Sequence, residues 1–277
     1  MPHLLALRYR PPAGRAAEAH PFAVPAVRAL AALADGLALD APVTCFVGEN
    51  GTGKSTLLEG IAAAVGVPTA GSEEIARDPT LAPARALAAR LALSWRARTQ
   101  RGLFLRAEDF FGFAQRLRRE RAELEARLVA VEAEYRAADR SAHALALARG
   151  PLVASIRAMQ ARYDGELDAR SHGESFLTFF QARLARGGEP ALYLLDEPEA
   201  ALSPQRQLAL LAILGDVAAA GSQVILATHS PILLACPGAR LYSFDEAPPA
   251  AVAWESVEHV RLTREFLAAP ERYLRHL

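Results

Sequence analysis

The chain predicts an α/β fold, a mixed sheet flanked by helices and interrupted by a helical hairpin. Short apolar runs at Pro42 to Val47, Leu192 to Leu195 and Gln223 to Ala227 read as buried strands, and each is followed by polar or glycine-rich residues. Between Glu108 and Arg170 the apolar residues step instead by threes and fours, as in a helical seam. A length of 277 residues with 52% hydrophobic content is ample for a sizeable core.

The first strand runs into Gly48-Glu49-Asn50-Gly51-Thr52-Gly53-Lys54-Ser55-Thr56, which fits the pattern G-x-x-x-x-G-K-[ST], and Ser55 to Val65 reads as the helix that follows. Lys54 is the only lysine, set against thirty arginines. A compact, rotatable ammonium reaches between phosphates inside a tight loop, where a planar guanidinium is too wide. The amides of Asn50 to Lys54 are expected to point inward as an anion nest, with Gly48, Gly51 and Gly53 letting the chain wrap closely. Ser55 is expected to coordinate Mg²⁺ and Thr56 to bond an outer phosphate oxygen. These expectations describe a nucleoside triphosphate site.

Leu91 to Ala97 reads as another strand. The Leu192 to Leu195 run ends in Asp196-Glu197-Pro198, the form of a Walker B element. Asp196 is then expected to hold Mg²⁺, usually through a water, and Glu197 to orient and deprotonate an attacking water. The same pair of carboxylates could instead cap a helix, but it lies downstream of a phosphate loop in the order such a site requires. The third strand ends at Thr228-His229-Ser230-Pro231. A lone histidine is more often structural, yet this position allows an imidazole to contact both the γ-phosphate and the general base. In an open parallel sheet all three strand ends face one edge.

The helical region carries a stripe at Leu117, Leu124, Leu128, Val131, Tyr135 and Ala138, and a second at Leu152, Ile156, Met159 and Tyr163. Gly150-Pro151 between them predicts the turn of an antiparallel hairpin, reaching at most roughly 50 Å. Arg116, Arg118, Arg119 and Arg121 are interleaved with Glu120, Glu123 and Glu125, and Glu123 with Arg127 and Glu132 with Arg136 have i,i+4 spacing. That pattern fits a solvated helix face better than a nucleic-acid surface. Arg170-Ser171-His172-Gly173-Glu174-Ser175 then opens a helix, with Ser171 placed to cap and Gly173 to admit an anion; a capping box of Ser171 with Glu174 accounts for the same letters.

Thirty-one basic and 31 acidic residues cancel, so no whole-molecule field favours nucleic acid or anionic membrane. Cys45 and Cys236 lie among apolar neighbours and read as buried thiols in a reducing cytoplasm. The N-terminal arginines follow the apolar stretch, the wrong order for a signal peptide, and Asp216 breaks the best candidate for a bilayer span. The expectation is a cytoplasmic protein with no direct membrane insertion.

Walker A, a Ser-x-Gly-Glu signature, Walker B, the Ala201-Leu202-Ser203-Pro204 turn and the Thr-His switch, in this order, resemble the ABC-class ATPases, and most closely bacterial AAA-family ATPases with Ser-His-Gly-Glu-Ser. The variants look more like the RecF, SMC and OLD-type branch, with its Rad50-like heads, than like transporter subunits. The resemblance implies a P-loop NTPase fold, with residues 1–106 and 171–277 as head and 107–170 as helical insertion. It implies ATP and Mg²⁺ as cofactors and a homodimer in which Ser171, Gly173 and Glu174 of one subunit meet nucleotide bound to the other. It also implies a Q-loop glutamine, best matched by Gln100, sensing Mg²⁺ and the water. An adenine-stacking aromatic could be Phe22, although a core role suits it better. Two purposes remain open: ATP-driven work on DNA in maintenance or defence, and a nucleotide-switched adaptor or transporter subunit acting on a protein partner.

Overall fold

The computed structural model describes residues 2–69, 79–162, 177, 179–181, 183, 184 and 189–275. Nine strands among them build two sheets. The smaller is antiparallel, in the order β2 (Leu37–Ala38), β1 (Leu4–Tyr9), β4 (Leu91–Trp95). The larger has the order β5 (Gly102–Arg106), β6 (Leu192–Asp196), β7 (Gln223–Ala227), β3 (Val43–Val47), β8 (Arg240–Ser243), β9 (Ala250–Val252). Its strands are parallel except for β9, which pairs antiparallel to β8. This is the mixed, helix-flanked sheet of a P-loop NTPase.

Alternation along each central strand divides the core between the two faces. Leu192, Leu194, Ile225, Ala227 and Phe46 join α2 (Lys54–Val65) and α3 (Ala82–Ala88) through Leu57, Leu58, Ile61 and Leu87. Tyr193, Leu195, Val224, Leu226, Cys45 and Val47 pack on the other face with Phe179, Phe180 and α6 (Pro204–Ala219), which contributes Leu210, Ile213 and Leu214. Burial on both faces explains why these strands read as continuous apolar runs. Both cysteines are buried and free. Phe22 packs against the first of these clusters, the core role its sequence context favours.

The register decides where the site sits. Arg106 pairs with Asp196, Asp196 with Ala227, Ala227 with Phe46, and Phe46 with Tyr242, one row abreast across the sheet. Every loop that leaves the carboxyl end of these strands therefore starts at the same level. The buried Gln223 side chain ties the smaller sheet to the larger. Its Oε1 accepts the amides of His3 at 3.0 Å and Leu4 at 2.8 Å, and its Nε2 donates to Leu4 O at 2.9 Å and to Leu39 O.

Helices α4 (Ala107–Ala137) and α5 (Ala142–Arg162) pack against each other. Leu124, Leu128, Val131 and Tyr135 are half-buried along α4, whereas Val129 between them is 66% exposed, so these four of the expected stripe form the seam; Ala138 is exposed beyond the helix end, and the Leu117 side chain and Tyr163 lie outside the described residues. The turn, however, is not at Gly150-Pro151. Both residues lie inside α5, and the chain reverses at Ala138 to Ser141. There Asp139 adopts φ 49°, a left-handed conformation that short polar residues tolerate, and Ser141 Oγ accepts the Ala144 amide at 3.3 Å. The helix tolerates its proline because packing on α4, including Arg149 Nη1 to Glu132 Oε1 at 3.3 Å, offsets one lost backbone hydrogen bond. Glu132 is thus engaged across the hairpin, and Arg121 forms an i,i+4 pair with Glu125 at 2.8 Å. The Leu91 to Ala97 strand also forms, but as β4 of the smaller sheet.

Replacing Gln223 by Leu leaves four buried backbone groups without their partner. Gln223→Leu is expected to lose about 2–4 kcal/mol of stability, read as a lower urea midpoint, at the opposite end of β7 from the carboxyl edge of the sheet.

Candidate nucleotide site

The loop after β3 turns through glycines of positive φ. Gly53 has φ +99°, and a Cβ there would stand 2.0 Å from Val24 Cγ1, so side chain and conformation both exclude other residues. Gly51 has φ +82° and open space in front of it. Helix α2 begins at Lys54 itself, so its unpaired amides and partial positive charge face the loop. Lys54 is buried, and its Nζ donates to Gly48 O at 2.7 Å and Glu49 O at 2.9 Å. Burial pushes its pKa down, while Glu197, Asp245, Asp196 and Glu49 pull it back up. Thr56 occupies the first turn of α2 beside Ser55, and Asn50 lies exposed on the loop.

Across 141 residues of chain, Ser55 Oγ donates to Asp196 Oδ1 at 3.0 Å. Burial raises the Asp196 carboxyl to about 7, against the Ser55 hydrogen bond, and Glu197, Glu59 and Glu199 add to the rise. A buried carboxylate held next to a hydroxyl is a hard-oxygen pair of the kind Mg²⁺ takes alongside waters and phosphate oxygens. Glu197, next in the chain, has φ +46°, a sterically costly conformation for a residue with a Cβ. Its amide donates to Ala227 O at 2.9 Å, which fixes the bend where the strand ends. Such strain is characteristic of residues whose direction matters more than their comfort.

β7 lies between β6 and β3, so His229 emerges between Asp196 and the phosphate loop. Its amide donates to Glu199 Oε1 at 2.7 Å, and the adjacent Ser230 Oγ donates to Gln207 Oε1 at 2.6 Å. Trp254 Nε1 donates to Pro231 O at 2.9 Å and pins the far side of the same turn. The His229 Nε2 and Glu199 Oε2 atoms are buried without a hydrogen-bond partner among the described residues. Burial raises the Glu199 pKa, opposed by hydrogen bonds from Thr228 and the local amides.

The expected Q-loop role of Gln100 does not survive. Its Nε2 lies 3.4 Å from where a Cβ would stand on Gly66, at the C-terminal end of α2. Ser55 is at the other end of that helix, roughly 17 Å away at 1.5 Å per residue. Gln100 precedes β5, and the site lies beyond the strand's opposite end, so it cannot reach the same magnesium or water. Ser171, Gly173 and Glu174 lie outside the described residues.

Sequence reasoning missed several residues that the structure brings to this edge. Arg106 closes β5 in register with Asp196, and its Nη1 is 3.6 Å from Glu59 Oε1 on α2. Asp245, just past β8, accepts the Glu49 amide at 2.7 Å and braces the loop from outside. Glu199 orients the His229 turn, and His259 approaches from α8 (Glu258–Ala268). Glu59 was findable in principle, four residues after Ser55 on the same helix. Asp245 and His259 have no local signal.

The family model described as "AAA domain, putative AbiEii toxin, Type IV TA system" matches residues 94–235, and a second, described as "AAA domain", matches residues 33–81 around the loop. No curated protein matches the chain. Among solved structures, the Smc head domain with an extended coiled coil bound to the C-terminal domain of ScpA, from Pyrococcus furiosus, is 12% identical. That match covers 83% of this chain and 94% of the other, with a TM-score of 0.41. With the first model spanning more than half of its residues around this strand-end site, the chain belongs to the AAA-domain family of P-loop proteins that carries the AbiEii description.

Proposed function

We propose that this protein is an ATP hydrolase of the ABC class that works as a nucleotide-driven dimer. Residues 1–106 and 171–277 form its head and 107–170 its helical insertion. The observation that carries the reading is the 3.0 Å contact between Ser55 and Asp196, beside a buried Lys54. ATP is favoured over GTP because an Asn-Lys-x-Asp guanine motif needs a lysine beyond Lys54, and the chain has none.

In this reading the amides of Asn50 to Lys54 and the α2 N-terminus bind the β- and γ-phosphates, and Lys54 turns from the loop carbonyls towards them. Ser55 and Asp196 hold Mg²⁺, which when bound neutralises charge on the phosphate oxygens. Glu197 accepts the proton of the attacking water, in the direction its strained backbone fixes. His229, its turn held by Glu199 and Trp254, contacts the terminal phosphate. Most of the work is positioning and preorganised charge rather than covalent chemistry. Ser171, Gly173 and Glu174 complete the site in trans in the dimer. No described helix is long and apolar enough to cross a membrane. For the purpose of the cycle we favour a DNA-maintenance or defence role over a transporter subunit or adaptor, since the matched family model's description names a type IV toxin–antitoxin system.

Lys54→Ala is expected to weaken binding of a fluorescent ATP analogue by about 100-fold or more, as loss of a charge-assisted contact in a desolvated loop would; wild-type affinity in that variant would remove the assignment. Glu197→Gln is expected to bind ATP normally, hydrolyse it at least about 100-fold more slowly and accumulate as a dimer in size-exclusion chromatography with ATP. A monomeric, fully active Glu197→Gln protein counts against both base and dimer. Asp196 supplies a pH test. Its folded pKa near 7 stands above the unfolded carboxyl value of about 4, so its ionisation costs stability progressively between these values and fully above 7. In the absence of nucleotide, Asp196→Asn is therefore expected to melt higher than wild type at pH 8, with the gap closing towards pH 5, while binding Mg²⁺-ATP more weakly.

A further inference from the structure

His259 is the second residue of α8, in a part of the chain that carries no recognisable nucleotide motif. Its ring faces that of His229, with centroids 6.0 Å apart and planes inclined at 49°. The Nε2 atoms of both rings are buried, and neither has a hydrogen-bond partner among the described residues. Buried nitrogens without a partner are costly, since each forfeits water without gaining a hydrogen bond. Glu199, which anchors the His229 amide, likewise has a buried Oε2 without a partner among the described residues.

The location is equally specific. His259 opens the helix that packs beside the His229 turn, and its ring lies 6.0 Å from the His229 ring. The helix is held there on two sides. Trp254, just before α8, donates to Pro231 in the His229 turn, and the Arg264 guanidinium stacks over the Trp254 ring at 4.9 Å. Val257 and Val260 on either side of His259 are buried in the core. None of these contacts engages His259 Nε2.

We propose that His259 is a second imidazole of the nucleotide site, donating with His229 to the terminal phosphate of bound triphosphate, so that the pair distinguishes ATP from ADP. The inference rests on the reading of the Lys54 loop as an ATP site. It adds a contact from the C-terminal helix, which ties the position of α8 to whether a γ-phosphate is present.

The test compares ATP and ADP affinities, each with Mg²⁺, by titration of the full-length protein. Four variants are used: His259→Ala, His259→Phe, His259→Gln and Lys54→Ala. The phenylalanine keeps the ring's packing and removes the nitrogen, so it also serves if the alanine variant does not fold. The glutamine places an amide N–H near the former Nε2. The expected result is a loss of about 10-fold or more in ATP affinity for His259→Ala and His259→Phe, with ADP affinity changed by less than about 2-fold and much of the loss restored in His259→Gln. Wild-type ATP affinity in His259→Phe overturns the proposal. Equal losses for ATP and ADP also overturn it, because they assign His259 a purely structural role. Lys54→Ala separates the two readings: if that variant loses ATP while the His259 variants do not, only the second histidine falls; if it keeps ATP, the site reading itself falls.

Discussion

The hydrogen bond from Ser55 to Asp196 is the point on which the arrangement turns. One partner belongs to the first turn of a helix and the other to the last residue of a strand, and they meet only because β6, β7 and β3 lie parallel and in register. A slip of one residue in β6 would send Asp196 to the opposite face of the sheet and exchange Leu194 for Leu195 in the two cores. The core packing that fixes this register is therefore also what fixes the polar site. Burial that makes the register unambiguous is the same burial that raises the Asp196 carboxyl to about 7.

Around that contact the loops are braced by residues that do not belong to the loop motifs. Asp245 holds the Glu49 amide, Glu199 holds the His229 amide, and Trp254 holds Pro231. Each brace joins a strand-end loop to a different stretch of chain. The edge is thus braced in its backbone, and His229 Nε2, His259 Nε2 and Glu199 Oε2 are among the buried atoms without a hydrogen-bond partner among the described residues. Braced supports that leave polar side-chain atoms free to meet developing charge are what a preorganised site requires. The strained Glu197 backbone fits the same logic, since its conformation is held by the bond to Ala227.

The helical pair sits close to this edge through a single residue. Arg106 ends β5 abreast of Asp196, approaches Glu59 on α2, and immediately precedes α4. The guanidinium is nearly buried, with the Glu59 carboxylate 3.6 Å away.

Much of this was legible from the sequence because it is local chemistry. The glycine loop, its lysine, the buried strands and the acidic doublet each follow from contiguous residues whose conformational and solvation preferences agree. The seam of the hairpin was legible for the same reason, through its spacing of threes and fours. The hairpin's turn was not, because Gly150-Pro151 carries a strong local breaker signal that packing of α5 on α4 overrides, while the turn itself depends on one left-handed Asp139. The Gln100 assignment failed because a glutamine near a strand says nothing about which end of the strand faces the site. Which residues brace the loops, and that His259 comes to face His229, was decided only by tertiary structure. Sequence patterns report how a segment meets water, whereas the meeting of distant side chains is set by register and by the angle at which helices pack.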